Sequence, residues 1–195
     1  NAVLYAGTRV GQRVTIHAHA VLGADGFGYR FRNGSYVKIP HTGTVEIEDD
    51  VEIGAGTTID RAMVGATRIG TGTKIDDQVM IGHNCHIGRH NAFASQVGFA
   101  GSTVTEDYVR CAGQAGIADH LTLGEGCTLG PKAGVHLNVP AGAKWHGFPA
   151  GPDKEQIRLH LSLQRVPELL KQVQALEAKV AALEAPAGNT RRRAA

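Results

Sequence analysis

Residues Ile69 to Val135 read IGTGTKIDDQVM IGHNCHIGRHNAFASQVGFA GSTVTEDYVRCAGQAGIADH LTLGEGCTLGPKAGV and keep one period of six throughout. The residue at every sixth position is apolar except for Thr105, and the residue after it, from Gly70 to Gly130, is Gly, Ala or Asp except for the longer Glu106. A strict period of six is neither the 3.6 of a helix nor the 2.0 of an ordinary strand. It is typical of a parallel β-helix of hexapeptide repeats. The series is Ile69, Ile75, Ile81, Ile87, Phe93, Phe99, Thr105, Cys111, Ile117, Leu123, Leu129 and Val135.

Such a repeat predicts an all-β prism with three short strands per coil, so that one coil takes eighteen residues. Each apolar residue points inward and stacks on its counterpart one coil away, at about 4.8 Å. Small residues at the next position allow a tight corner. The period does not reveal the hand of the coil.

The whole sequence divides into four parts. The β-helix is predicted over residues 1–140, with residues 23–44 extruded as a loop, because the period fails there. Long loops on a rigid solenoid often carry function, although a plain surface hairpin is the alternative. A Pro- and Gly-rich cap follows at 141–152. Apolar residues at heptad spacing predict a self-associating C-terminal helix at 153–185, with a break before Pro167. The last residues, 186–195, are expected to form a disordered basic tail.

Composition gives a few further expectations. A net charge of +2 on 195 residues predicts no nucleic-acid partner. No apolar run reaches the roughly 18 residues that span a bilayer, and no signal peptide opens the chain, so we expect a cytoplasmic protein without integral membrane contact. Cys85, Cys111 and Cys127 fall on inward positions and are interpreted as small buried residues. The chain begins at Asn1 inside a repeat, which indicates the later part of a longer protein.

Polar side chains concentrate in DDQVMIGHNCHIGRHN, residues 76–91. A metal site is not expected, since the spacing of His83, His86 and His90 directs the three rings to different sides of a β-helix. An acyl-transfer site fits better. Gly101 lies eighteen residues after His83, so its backbone N–H is expected one coil above the imidazole. A general base beside an oxyanion donor is the pair that acyl transfer needs.

Three segments carry a family resemblance. GADGFGY (23–29), KIPHTGTVEIEDDVEIGAGTTIDRA (38–62) and KIDDQVMIGHNCHIG (74–88) resemble the UDP-3-O-acylglucosamine N-acyltransferase family of lipid A biosynthesis. The resemblance implies a left-handed parallel β-helix with a C-terminal α-helix, assembled as a homotrimer. It implies transfer of a 3-hydroxyacyl group from acyl carrier protein to the 2-amino group of UDP-3-O-acylglucosamine. No cofactor is implied beyond the phosphopantetheine of the donor.

The same resemblance assigns roles to particular residues. His83 matches the catalytic base, Asp76 the carboxylate that orients it, and Gly101 the backbone donor to the oxyanion. Asn84 and His120 match contacts to the acyl-pantetheine or to the sugar phosphate region.

Further binding residues are expected in the loop and near the end of the coil. Phe27 and Tyr29 are expected to bind substrate. Lys132, His136 and Lys144 are candidates for binding the carrier, at a place where the family would offer an arginine.

Two other functions stay open at this point. One is a sugar-nucleotide acyltransferase that uses acyl-CoA, and the other is a catalytically inactive trimeric scaffold. The family carries an N-terminal uridine-binding domain that has no counterpart in this sequence. The chain is therefore expected to be either a fragment or a shortened protein.

Overall fold

The structure, a computed structural model, describes residues 1–147 and 153–184, excluding the side chains of 153–157 and 160. Its strands, in chain order, are β1 (Val3–Leu4), β2 (Arg9–Val10), β3 (Thr15–Ile16), β4 (Val21–Asp25), β5 (Tyr29–Arg32), β6 (Ser35–Lys38), β7 (Thr44–Ile47), β8 (Glu52–Ile53), β9 (Thr58–Arg61), β10 (Ala66–Ile69), β11 (Lys74–Ile75), β12 (Met80–Ile81), β13 (His86–Ile87), β14 (Ala92–Phe93), β15 (Gly98–Phe99), β16 (Val104–Thr105), β17 (Arg110–Cys111), β18 (Gly116–Ile117), β19 (Thr122–Leu123), β20 (Thr128–Leu129), β21 (Gly134–Val135) and β22 (Lys144–Trp145). The helix is α1 (Asp153–Glu184).

Three parallel sheets form the sides of a β-helix. The first has the order β1-β4-β9-β12-β15-β18-β21, the second β2-β7-β10-β13-β16-β19, and the third β3-β8-β11-β14-β17-β20-β22. Ile81 pairs with Phe99, and Phe99 with Ile117, 18 residues apart in each case. The coil length predicted from the period is therefore observed. We call the turns that follow first-sheet, second-sheet and third-sheet strands the first, second and third corners.

The core is the inside of the prism. All twelve residues of the six-residue series from Ile69 to Val135 are buried. Thr105, its polar member, is accommodated because its Oγ1 accepts the Gly88 N–H at 3.0 Å and the Asn91 side-chain amide at 2.7 Å. A buried hydroxyl with partners is tolerated, whereas one without them would be costly.

The corners are built from one repeated turn. At the first corner the third turn residue has a left-handed backbone, with φ of 59° at Asn84, 62° at Ser102 and 57° at His120. Ser102 and His120 donate their N–H groups to the carbonyls of His83 and Gly101 one coil below, at 2.8 and 3.1 Å. These bonds hold successive corners in strict register.

The extruded loop forms a hairpin. Strands β5 and β6 pair antiparallel, and Asn33 and Gly34 connect them with φ of 51° and 80°. Positive φ at both central residues is the geometry that Asn-Gly favours in a two-residue turn. The loop returns to the coil at β7, which pairs with β2 and β10.

The coil continues further than the fading period suggests. Strand β22 extends the third sheet from β20, and Val139 forms a bridge with Leu123. The expected cap therefore begins with one more strand. The rest of that cap, 148–152, and the predicted tail, 186–195, lie outside the described residues.

Helix α1 forms a separate compact unit. Pro167 lies inside it, so the predicted break before Pro167 is wrong: a proline removes one backbone donor, and here the helix continues on both sides of it. Its heptad residues are all exposed, at 41% or more. They are Val166, Leu169, Val173, Leu176, Val180 and Leu183. Within the described residues, no helix has the length and apolarity needed to cross a membrane.

Candidate active site

His83 lies at the first corner, two residues after β12, with its ring against two glycines. A Cβ atom on Gly101 would lie 2.6 Å from His83 Nε2, and a Cβ atom on Gly26 would lie 2.7 Å from His83 Cβ. The eighteen-residue spacing thus brings Gly101 directly onto the imidazole. Within the described residues, the Gly101 N–H has no hydrogen-bond acceptor.

Asn84 fixes the protonation of the His83 ring. Its Oδ1 accepts the Met63 N–H at 2.8 Å and its Nδ2 donates to the Val64 carbonyl at 3.0 Å, so the amide has one orientation. His83 Nδ1 lies 3.1 Å from the same Oδ1. Because Oδ1 can only accept, Nδ1 carries the proton and the neutral ring keeps its lone pair on Nε2. Asn84 therefore orients the ring, a role that the sequence did not assign to it, and its expected contact with substrate stays a prediction.

Asp76, the expected orienting carboxylate, lies at the third corner. Its Oδ2 accepts the Ser95 hydroxyl at 2.5 Å. This bond, followed by those from the backbone N–H groups of Asp77 and Ser95, holds the pKa of Asp76 below its ordinary value. Consecutive hexads occupy consecutive sides of the prism, so a residue seven positions before His83 belongs to another corner. Within one chain the predicted Asp76–His83 pair is not formed, and Asn84 takes that position.

The extruded loop folds back onto His83. His41, only 5% exposed, holds its ring centroid 5.3 Å from that of His83 in an edge-to-face arrangement. Its Nδ1 lies 3.0 Å from the Ile39 carbonyl, while its buried Nε2 has no partner among the described residues. A side chain on Gly28 or Gly26 would collide with the His41 ring or approach it to 3.0 Å. The loop glycines therefore permit the close packing that surrounds the imidazole.

A cleft of about 360 Å³ opens beside His83. Phe27 forms one part of its lining, and its ring lies 5.1 Å from that of Tyr29. Asp60 lies in the same cleft; burial raises its pKa to about 6, against smaller opposing effects of His83 and Lys38. The full lining is Phe27, Asp60, Met80, Gly82, His83, Ala100, Gly101, Asp119 and His120.

A second depression of about 600 Å³ runs along the outer face of the first sheet and shares Met80 and Ala100 with the cleft. Gly98, Gly116 and Gly134 pair in register along it, and a Cβ atom added to any of them would touch nothing within 4 Å. Three stacked glycines leave a smooth channel leading away from His83.

The candidate carrier-binding residues do not form one cluster. His136 lines the end of the glycine channel. Lys132 has a left-handed backbone at the third corner, with φ of 58°, and Lys144 belongs to the third sheet. Within one chain, only His136 adjoins the path from the cleft.

The other residues that could take part in chemistry are the three cysteines and the possible metal ligands. The three cysteines are free and buried. Burial raises the pKa of the Cys85 thiol to about 12, which keeps it protonated and a poor nucleophile. Among the side chains that the structure describes, no three from His, Cys, Asp or Glu come together as metal ligands would.

Sequence reasoning missed Asp60, His41 and Asp119. Asp60 and His41 both lie in the segment 38–62 that carries the resemblance, which is the signal that could have singled them out. Because four extra residues lie between Ile59 and Ile69, Ile59 pairs with Ile81, 22 residues later, whereas the regular coil length is 18 residues. Counting by the regular coil therefore does not place Asp60 in the cleft.

Several known proteins are similar to this chain in sequence or in fold. No protein-family model matches the chain. It is 48% identical over 157 residues to the UDP-3-O-acylglucosamine N-acyltransferase of Methylobacterium nodulans, covering 80% of this chain and 45% of that relative. It is 47% identical over 165 residues to the protein of the same name from Wolinella succinogenes, covering 84% and 52%. The solved UDP-N-acetylglucosamine acyltransferase of Francisella novicida matches 87% of this chain and 77% of its own, with a TM-score of 0.61 and 19% identity.

The chain spans about half the length of these curated relatives and matches their C-terminal part. The structural likeness confirms the predicted fold class, a left-handed parallel β-helix of hexapeptide repeats with a C-terminal α-helix. Over the part that it covers, the chain belongs to the UDP-3-O-acylglucosamine N-acyltransferase family.

Proposed function

We propose that this chain moves a 3-hydroxyacyl group from acyl carrier protein to the 2-amino group of UDP-3-O-acylglucosamine, with His83 as general base. The observation that carries the proposal is the tautomer of His83 and the position of its Nε2. Its Nδ1 is bound to Asn84 at 3.1 Å, which leaves the Nε2 lone pair in a cleft beside Gly101. A positioned imidazole of this kind contributes about 10²- to 10⁴-fold to a proton-transfer step.

The reaction follows from that geometry. The nitrogen of the free amine attacks the thioester carbon while His83 Nε2 takes the proton that leaves the nitrogen. Negative charge develops on the carbonyl oxygen, and the Gly101 N–H donates a hydrogen bond to it. The carbon–sulfur bond then breaks, and the pantetheine thiolate recovers the proton from His83. No acyl-enzyme forms, because amine and thioester meet directly once both are bound.

The surroundings of the cleft fit a lipid-bearing donor. The channel along Gly98, Gly116 and Gly134 is open and begins at Met80, next to the cleft. An extended acyl chain fits such a strip, since it needs apolar contact without any specific polar partner. We propose that the carrier binds at the far end of this channel, next to His136.

The acceptor is proposed to enter from the side of the extruded loop. Phe27 is 86% exposed and lines the cleft, and Tyr29 packs against it. Exposed aromatic rings offer contact area for a sugar or a nucleobase at little conformational cost. We propose that His120, which lines the same cleft, contacts a phosphate or an amide of either substrate.

We further propose that the protein acts as a homotrimer in the cytoplasm. The exposed heptad residues of α1 support self-association, because an apolar seam of this kind is normally covered by other helices. The three free cysteines fit a reducing compartment.

The test is product formation. The purified chain would be incubated with 3-hydroxyacyl carrier protein and UDP-3-O-acylglucosamine, and mass spectrometry would follow the acceptor. A gain of one 3-hydroxyacyl group supports the proposal. Equal rates with acyl-CoA would favour a different donor, and a folded oligomer without turnover would favour a scaffold. A second sample, fused to the N-terminal segment of a relative, shows whether nucleotide binding limits the reaction.

A further inference from the structure

Asp60 is a carboxylate without a structural partner. The residue lies in β9 and lines the cleft with His83, and its carboxylate forms no hydrogen bond or ion pair within the described residues. Other acids of the coil cap backbone N–H groups of the neighbouring coil. Examples are Asp49 with Gln12 at 2.8 Å, Asp77 with Ala55 at 2.6 Å and Asp107 with Arg89 at 2.7 Å. Asp60 has no comparable role in the architecture.

The cations near Asp60 are engaged elsewhere. Lys38 Nζ lies 3.4 Å from an Asp25 oxygen, and Arg61 Nε lies 3.8 Å from the other. Arg61 also donates to the Gly23 carbonyl at 2.6 Å. The charge of Asp60 is therefore not neutralised within the described part of the chain.

An unpaired, half-buried carboxylate destabilises a fold unless a ligand compensates its charge. Burial raises the pKa of Asp60 to about 6, so the group is ionised at neutral pH but poorly solvated. A cation that enters the cleft compensates the Asp60 carboxylate for the solvation that it lost on burial. A neutral hydroxyl does not, because it offers a weaker hydrogen bond and no charge.

We infer that Asp60 binds the acceptor's amino group in its ammonium form and makes the site prefer an amine to a hydroxyl acceptor. This inference rests on the proposed acyl transfer. Asp60 and His83 line one cleft, so an ammonium held by Asp60 lies close to the base that takes a proton during attack. The contact is made before the reaction, and its loss weakens binding of the acceptor. The ammonium then gives one proton to the Asp60 carboxylate, and the free amine that results attacks the thioester while His83 takes the second proton. Asp60 returns its proton to solvent after the product leaves.

The test compares two ligands without any donor. Calorimetry would measure the Kd of UDP-3-O-acylglucosamine and of its 2-hydroxy counterpart, UDP-3-O-acylglucose, for the unmodified chain and for Asp60→Asn. A charge-assisted contact predicts that the unmodified chain prefers the amine by about 10- to 100-fold. Asp60→Asn should reduce that ratio to about three-fold or less, and Asp60→Glu should restore part of it.

Asp107→Asn is the matched control, because Asp107 is a partly buried carboxylate of the second corner that does not line the cleft, and an amide oxygen can still accept the Arg89 N–H. It should keep the amine preference. The inference is overturned if Asp60→Asn, folded by its melting curve, keeps the full preference, or if Asp107→Asn loses it equally. Turnover of the unmodified chain would then still support the proposed function. Failure of the unmodified chain to bind either ligand, alone or fused to the relative's N-terminal segment, overturns both.

Discussion

Substitution of Gly101 by alanine should displace the catalytic base. The new methyl group would lie 2.6 Å from His83 Nε2 and 2.7 Å from Cε1, inside the 3.4 Å at which ordinary contacts begin. The ring has little room to yield, since Gly26 packs against its Cβ and Cδ2 and Asn84 binds Nδ1. Gly101 is not in the left-handed region, so backbone strain does not contribute.

The size of the effect follows from the overlap. Relieving it requires a ring shift of roughly 1 Å, and a misplacement of that size costs about 100-fold in rate. Overpacking of this kind destabilises a fold by about 1–3 kcal/mol. We therefore expect Gly101→Ala to fold, with a lower melting temperature and about 1% of the activity.

Gly113→Ala is the matched control. Gly113 is the second residue of a third-corner turn, as Gly101 is of a first-corner turn, and its added Cβ would meet only the Ser95 carbonyl, at 3.4 Å. Steady-state rates and melting curves of both variants would be measured side by side. If Gly101→Ala folds and keeps the original kcat/KM, the close contact between Gly101 and the base is not part of the active site.

Three further predictions follow from the same cleft. Asn84→Ala should lower kcat at least about ten-fold, because Nδ1 loses the acceptor that fixes the tautomer; the melting curve should show a loss of about 1–3 kcal/mol from the unpaired Met63 N–H. Gly26→Ala would place a methyl group 2.7 Å from His83 Cβ and 3.0 Å from His41 Nε2. The loop should therefore shift, and the KM for the acceptor should rise about ten-fold or more. Steady-state kinetics at varied acceptor concentration would measure this change. Asp60→Asn should stabilise the protein above pH 6, because burial raises the folded pKa from 3.8 to about 6 and the ionised form is the disfavoured one. After discounting for partial exposure, the gain in unfolding free energy at pH 8 should be about 1–2 kcal/mol and should vanish below pH 4 in denaturant titrations; an unchanged value at pH 8 would contradict it.

Much of the architecture could be predicted from the sequence, because a period of six directly sets the coil. The inward series, the eighteen-residue register and the contact of Gly101 with His83 all follow from counting. Asp76 shows the limit of counting: one hexad along the chain means another side of the prism, so nearness in sequence does not mean nearness in space. Within one chain, Asp76 is therefore not the partner of His83 that the sequence predicts.

The rest of the site depends on segments that interrupt the period. The hairpin leaves the coil after Asp25 and returns at Thr44, and only tertiary packing brings His41 onto His83. The insertion after Ile59 shifts the register that would have aligned Asp60 with the cleft. The role of Asn84 depends on the direction of one side-chain amide, which no spacing rule encodes.

The most direct measurement is the rate of acyl transfer by His83→Ala beside His86→Ala. His86 is a second imidazole three residues away, exposed on β13 and outside the cleft. Loss of a general base predicts a fall in kcat of about 100-fold or more for His83→Ala, with an unchanged melting curve. His86→Ala should stay within about two-fold of the unmodified chain. A His83→Ala variant that keeps the original rate would contradict the central claim that this imidazole drives the reaction.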